Sequence, residues 1–419
     1  MHAPWLAPFQ VKSFRFQWPA ALITVWALEM EVLILGWYVL VETGSVVALT
    51  VFGASFYFGT LVAPMLGVVA DRIGHCNTLV LMRTWYGALA ATLLALVATG
   101  QLTPTIVLGL AILNGLVRPS DLAIRSAFMA GILPRELLMS AMALERTTMD
   151  TARIAGALVG AGLFAALGMG PAYVLIVMLY ATGALLTVAA GRAAPRAAEQ
   201  DAVAAKPIVA RLSFWREFRD GIAFVRGQPV LRAAIWLAVL VNLTAFPLTN
   251  GLMPYAAREI YQVDERGLSY LVASFAAGAL IGSILFSTRG REWPLARLML
   301  GSAVVWYMML FVFGHMTNIV VGVLFLLCAG LAQSLCMISM VVLILRTTAP
   351  ELAGRVMGVR ILAIYTLPLG LLAAGWMIGQ IGFAATVSVY ALTGIALVLA
   401  IALRFHADLW HIEAPANSG

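Results

Sequence analysis

Apolar runs of about 20 residues follow one another along the whole chain, separated by short polar or Gly/Pro-rich breaks. A run of that length crosses a hydrocarbon layer of ~30 Å as an α-helix. Twelve runs can be read, near residues 17–42, 46–70, 77–99, 103–127, 138–166, 171–191, 230–256, 267–288, 295–314, 318–346, 354–379 and 382–404. The pattern predicts an all-α membrane protein with twelve transmembrane helices.

The one long polar break, residues 192–229, divides these runs six plus six. It predicts an N-terminal six-helix bundle (1–191), a cytoplasmic linker (192–229) and a C-terminal six-helix bundle with a short cytoplasmic tail (230–419). Within the linker, 208–226 reads as an amphipathic helix on the inner membrane surface, with Phe214, Trp215, Phe218 and Phe224 toward acyl chains. A plain connecting segment is the alternative. Shifting the sequence by 215 places Gly67 on Gly282, Glu136 and Leu137 on Glu351 and Leu352, Met142 on Met357 and Gly160 on Gly375. One offset serving several helices suggests two pseudo-symmetric halves, a known design for transporters.

Composition sharpens this picture. The chain is 62% hydrophobic and 11% charged, where a soluble protein keeps about a quarter of its residues charged. Its net charge of +7 is unevenly placed. Lys12, Arg15, Arg72, Arg83, Arg135, Arg289, Arg291, Arg346, Arg355, Arg404 and the basic linker all fall on one side of the predicted crossings, against Arg258 and Arg266 on the other. The positive-inside rule then puts both termini in the cytoplasm. The first 20 residues lack the short apolar core and small-residue cleavage site of a signal peptide. Without a basic soluble domain, nucleic-acid binding is not expected. The three cysteines, Cys76, Cys328 and Cys336, suggest neither a disulfide nor a metal site, and no cofactor is implied. No phosphate-binding Gly-x-x-x-x-Gly-Lys-Ser/Thr loop occurs, so any ATP drive would need another subunit.

Ionisable residues inside the predicted crossings carry the candidate chemistry, since each costs ~2.5–3.5 kcal/mol at a helix centre on insertion scales. The first half holds Glu29 and Glu31 in the first crossing, Arg118 and Asp121 in the fourth, and Glu145, Arg146, Asp150 and Arg153 in the fifth. Arg146, Asp150 and Arg153 share one helix face, where Asp150 can pair with either arginine. The same offset sets Thr244, Gln333, Cys336, Tyr365 and Pro368 opposite Glu29, Arg118, Asp121, Asp150 and Arg153. Charge therefore gathers in the first half. Glu29, Glu31, Asp121 and Asp150 are the proton-coupling candidates. Arg118, Glu145, Arg146 and Arg153 form a charge network around them. A neutral polar wall is expected in the second half from Asn242, Thr244, Asn250, Gln333, Ser334, Tyr365 and Thr366.

Glu29 and Glu31 point about 200° apart on a helix. Glu31 shares a stripe with Thr24 and Tyr38, which favours a wet interior, but both carboxylates stay candidates, with Glu29 slightly preferred. Pairing with Arg118, Arg146 or Arg153 to hold helices together is the structural alternative. Tyr38, Trp236, Asn242, Gln333 and Tyr365 are candidate substrate contacts. Other membrane aromatics, among them Trp26, Trp37, Phe56, Phe246 and Trp376, either line such a pocket or pack between helices. Pro119, Pro247, Pro254 and Pro368 offer bends.

The segment GVVADRIGHCN, 67–77, between the second and third crossings, resembles the Gly-x-x-x-Asp-Arg-x-Gly signature of the major facilitator superfamily. Gly67 would let the second helix approach a neighbour, Asp71 can face a helix N-terminus, and Gly74 permits a tight reversal. The segment 133–163, LPRELLMSAMALERTTMDTARIAGALVGAGL, resembles the branch that contains bacterial drug and siderophore exporters such as the enterobactin exporter. The resemblance implies that Gly67, Asp71, Arg72 and Gly74 form a cytoplasmic gate. It departs in two places. His75, Cys76 and Asn77 stand where basic residues usually follow. In the fifth helix the antiporter pattern keeps Gly156 and Gly160 but has Ala157 for proline and Ala161 for glycine, and Gly156-x-x-x-Gly160 also reads as plain helix packing.

Together these features imply a monomeric multi-pass protein of the bacterial inner membrane that exports drug-like or siderophore-like small molecules against protons. Uptake or flipping of another metabolite or a lysophospholipid is the alternative, because fold does not choose substrate. An intramembrane enzyme or a sensor would need metal-ligand clusters or a signalling domain, which the sequence lacks.

Overall fold

A computed structural model describes residues 4–60, 62–194, 219, 221–290 and 293–411. The apolar runs fold into helices whose ends lie where turn chemistry dictates. The first, α1 (Lys12–Thr43), runs unbroken past Pro19 and stops at Gly44, whose φ of +59° suits glycine and whose N–H bonds the Leu40 carbonyl. There follow α2 (Val46–Ser55), α3 (Ala63–Ile73), α4 (His75–Ala98), α5 (Pro104–Ile132), α6 (Arg135–Leu167) and α7 (Met169–Ala193). Beyond the linker come α8 (Gly221–Gly227), α9 (Pro229–Thr244), α10 (Phe246–Asn250), α11 (Glu265–Arg289), α12 (Leu295–Phe313) and α13 (Ile319–Thr347). The chain closes with α14 (Pro350–Leu362), α15 (Thr366–Ile381), α16 (Phe383–Arg404) and α17 (His406–His411). No strand occurs among the described residues.

Nine helices among the described residues are long and apolar enough to cross a membrane, and a tenth if α8 and α9, bent by 112°, count together. The other predicted crossings depart for local reasons. The second is broken into α2, a 3-10 turn (Phe58–Thr60) and α3. At that turn Gly59 is pressed against the carbonyls of Gly115 and Leu116 on α5, so no side chain fits. In the seventh, α9 ends at Thr244, and Pro247, Gly251 and Pro254 pass the chain through α10 into a π-helical turn at Ala256–Ile260. The fifth forms α6 in full length, but its apolar part is confined to the shorter stretch Thr151–Leu167. Pro119 leaves α5 in one piece. Residues 208–218 and 220 of the predicted amphipathic segment lie outside the described residues.

The chain divides into two compact units, Met1–Ile208 and Val209–Gly419. In the first, α1 packs on both α6 and α7, and α4 packs on α5 and α7. In the second, α13 packs against α11 and α12, and α9 against α15 and α16. Small residues set the closest approaches. A Cβ at Gly115 would collide with the Ser55 carbonyl, and one at Gly330 with the Phe275 carbonyl. The 215 offset carries Gly115 onto Gly330, so each unit uses its glycine at the same repeat position for a backbone-to-backbone contact.

Gly67 behaves otherwise than expected. A Cβ there would meet nothing within 4 Å, so close approach does not require glycine at this point. Gly156 and Gly160 do mark a tight seam, where α6 lies against α1. Added Cβ atoms would stand 2.9 Å from Glu29 Cβ and 2.9 Å from Met30 Cγ.

Replacement of Gly330 by valine is expected to lower stability by roughly 1–3 kcal/mol through overpacking. Gly301→Ala, inside α12 where a Cβ meets nothing within 4 Å, should hold or slightly raise the unfolding temperature, since alanine favours the helix. Thermal unfolding of the purified protein in detergent checks both.

Candidate functional site

Helix α1 presents two different faces to its neighbours. At 100° per residue, Ser13, Gln17, Ala20, Thr24 and Glu31 fall within about 60° of one another. This face meets α7, where Gly183 lies against Thr24 and Ala20. The other face carries Trp18, Trp26, Glu29 and Met30 toward α6: Trp18 Nε1 donates to Thr148 at 2.8 Å, and Gly156 and Gly160 pack on the other three.

The two acidic residues therefore enter unlike surroundings. Glu31 is 2% exposed. Its Oε2 accepts from the Tyr180 hydroxyl of α7 at 2.9 Å and from Asn114 Nδ2 of α5 at 3.3 Å. Both partners are neutral and can serve either protonation state. Phenol and amide N–H donate to a carboxylate, and the Asn114 oxygen, buried without a partner, can accept from a carboxylic acid after an amide flip. Arg118 is close enough for its charge to act on Glu31, while its guanidinium lies 4.9 Å from the Phe56 ring centre. Glu29, by contrast, faces Arg153 of α6 at 3.8 Å, with side chains 22% and 37% exposed. The stripe shared by Glu31, Thr24 and Tyr38 exists, but it leads into the helix bundle of the first unit.

Deeper in the unit, α5 and α6 are joined by ions. Arg125 Nε contacts Glu145 Oε1 closely, and Nη1 stands 3.7 Å from Asp121 one turn away. All three side chains are buried. Arg83 is buried too, and its Nη1 donates to the Gly183 carbonyl of α7 at 3.2 Å. It points into the α4–α7 interface. Arg146 and Asp150 belong to α6, and their side chains lie outside the described residues.

The loop motif ends α3 and starts α4. Gly74 joins them with a φ of +90°, a value that favours glycine. Asp71 and Arg72 are exposed, and Asp71 comes within 4.0 Å of His75 one turn on. Tyr38 is not free for a ligand, because its hydroxyl donates to the Leu102 carbonyl at 3.0 Å.

In the second unit several polar candidates are already bonded to backbone carbonyls or to Tyr307. Asn242 donates to the Ala238 carbonyl at 2.8 Å, and the Thr244 and Tyr307 hydroxyls stand 2.7 Å apart. Gln333 and Ser334 are buried on α13. Tyr365 is half-buried in the turn between α14 and α15, and Trp236 is 60% exposed on α9. This unit is not wholly uncharged: Arg232 lies 5.4 Å from the Phe405 ring centre, and Arg360 acts electrostatically on buried Cys336.

Sequence reasoning missed Arg125, Asn114, Tyr86 and Tyr180. Arg125 had a signal, four residues after Asp121 on one helix face. The other three become informative only when α4, α5 and α7 meet α1. Among the described residues no cluster of three or more His, Cys, Asp or Glu side chains could hold a metal ion.

The sequence profile of the Major Facilitator Superfamily matches residues 17–368. The chain belongs to the Major Facilitator Superfamily. The solved structures agree in fold. The POT family transporter PepTSo superposes with a TM-score of 0.73 at 13% identity, covering 96% of this chain and 99% of that one. The nucleoside transporter NupG gives a TM-score of 0.70 at 13% identity, covering 94% and 98%. No curated protein sequence matches the chain significantly. This superfamily member is a multi-pass membrane transporter rather than an enzyme, and its buried ionisable groups lie in a transport scaffold.

Removal of one partner from the Arg125–Glu145 pair leaves a buried charge unmatched. Arg125→Met is expected to destabilise the protein by about 3–5 kcal/mol, and adding Glu145→Gln should recover part of that loss. Thermal unfolding of the single and double variants in detergent measures it.

Proposed function

We propose that this transporter exports small drug-like or siderophore-like molecules by alternating access, exchanging each against protons that enter the cell. The observation that supports it is Glu31: a carboxyl buried in the first unit, held by the neutral Tyr180 and Asn114 rather than by a salt bridge. A group so held can bind and release a proton without breaking an ion pair. In this reading Glu31 is the proton carrier. The Glu29–Arg153 pair, half-exposed, opens and closes as the transporter cycles. Arg125, Asp121 and Glu145 hold α5 to α6. Asp150 and Arg146 remain candidates in the network by sequence alone.

The rest of the reading follows the charge pattern. The protein is a monomer of the bacterial inner membrane with cytoplasmic termini, built from six-helix bundles at 1–191 and 230–419 around a cytoplasmic linker. Asp71, Arg72 and Gly74 mark the cytoplasmic gate. Asn242, Gln333, Tyr365 and Trp236 offer neutral contacts for the substrate.

The test is transport by the purified protein in liposomes that carry a pH gradient and an internal pH-sensitive dye. A panel of lipophilic cations and ferric or free siderophores is added in turn. A substrate should evoke proton movement opposite in direction to its own. Glu31→Gln should abolish that movement with the protein still folded, and Glu29→Gln should weaken it without abolishing it. Undiminished proton movement in Glu31→Gln would remove Glu31 as carrier, and entry of substrate together with protons would make the protein an importer.

A further inference from the structure

Glu31 does not stand alone in the first unit. Below it, toward the N-terminal end of α1, buried polar groups continue on the faces that α1 and α4 turn to α7. We propose that these groups form a hydrated proton path inside the first unit, joining Glu31 to the Lys12 end of α1. The proposal rests on the reading of Glu31 as proton carrier.

The groups stand level by level, because α1 and α4 are each tied to α7 at successive turns. At the top, Tyr180 donates to Glu31, and its ring centre lies 5.8 Å from that of Tyr86 on α4. One turn lower on α7, the Gly183 carbonyl accepts from Arg83 of α4, and Gly183 faces Thr24 of α1. One turn lower again, the Thr187 carbonyl accepts from Cys76 of α4 at 3.5 Å. With a rise of 1.5 Å per residue, Gln17 of α1 stands at about this level and Ser13 about one turn beyond.

What singles out these faces is the state of their polar atoms. The Tyr86 hydroxyl, Arg83 Nε, both amide atoms of Gln17 and the Ser13 hydroxyl are all buried with no hydrogen-bond partner in the protein. Each of the four residues is no more than 1% exposed. Unpartnered buried polar groups are costly, and folded proteins satisfy them with ordered water. A lone case would be a single water site. Here Gln17 and Ser13 share the helix face of Thr24, Tyr86 and Arg83 lie on the α4 face toward α7, and the row begins at a carboxyl.

The transfer balances simply. The Glu31 carboxylic acid loses one proton and becomes a carboxylate. Each water or hydroxyl along the row accepts one proton and passes one on, ending unchanged, and one hydronium leaves at the Lys12 end. Arg83 keeps its charge throughout, and Asp121 of α5 acts on it with the opposite sign. The groups that act on Glu31 itself are Asn114 and Arg118 from α5 and Tyr180 and Tyr173 from α7, with Tyr86 of α4 behind Tyr180.

The test follows the carboxyl directly. The full-length protein in lipid nanodiscs is subjected to a pH jump, and the carboxylic-acid C=O stretch is recorded by time-resolved infrared difference spectroscopy. Glu31→Gln identifies its band by deleting it. Gln17→Leu and Tyr86→Phe are expected to keep the final amplitude of that band but slow its change by about tenfold. A purely structural role would not separate rate from amplitude in this way. Tyr86→Phe removes only a hydroxyl and keeps the ring, so it serves if Gln17→Leu fails to fold. Ser339→Ala, which removes another partnerless buried hydroxyl in the second unit, should change neither. Slowing in either path variant supports the proposal. An unchanged rate in every folded path variant, with the Glu31 band present, overturns it. If no band is lost in Glu31→Gln, the carrier reading itself fails.

Discussion

The first unit depends on how one helix, α1, is shared between α6 and α7. Its 32 residues are in contact with both, so positions two apart serve different interfaces. That geometry gives Glu29 an arginine and Glu31 a phenol and an amide. The carboxyl of Glu31 is not a source of stability. Two hydrogen bonds to a carboxylate, each worth about 1.5–3 kcal/mol, do little more than offset the ~2.5–3.5 kcal/mol that a charged group costs at a helix centre on insertion scales. A leucine would pack there more cheaply.

The buried ions of the first unit fall into two kinds. Arg125, Asp121 and Glu145 join α5 to α6 and are matched among themselves. Such a cluster holds geometry, because separating it would strand a charge away from water. Glu31 has only neutral partners in hydrogen-bond contact, and around it lie polar atoms that the protein leaves open. Matched charges suit a fixed joint, whereas neutral partners and water suit a proton that comes and goes.

The second unit shows the same frame with different contents. Gly330 brings α13 against α11 as Gly115 brings α5 against the end of α2, so the repeat survives at this contact. Side chains at the other repeat positions have diverged: Thr244, at the position matching Glu29, is bonded to Tyr307. At Gly115 and Gly330 a facing carbonyl leaves no room for a side chain, whereas the backbone contacts at Gly59, Gly278 and Gly370 have no glycine at the matching position of the other unit.

The sequence by itself determined the solvent and the secondary structure. Apolar runs of membrane-spanning length, the Gly-x-x-x-Asp-Arg-x-Gly loop and the weak 215-residue repeat were enough for an all-α transporter of this superfamily, since lipid demands that every backbone polar group be satisfied within a helix. Only the tertiary structure decided what the charges meet. Helical phase separates Glu29 from Glu31, but nothing along the chain says that α7 covers one and α6 the other. Tyr180 lies 149 residues from Glu31 and Asn114 lies 83 from it, and neither carries a local pattern that marks it. The break at Gly59 was hidden for the same reason, since it answers to a neighbouring backbone. The break after Thr244 was legible in outline from Pro247 and Pro254, although hydropathy averages it away.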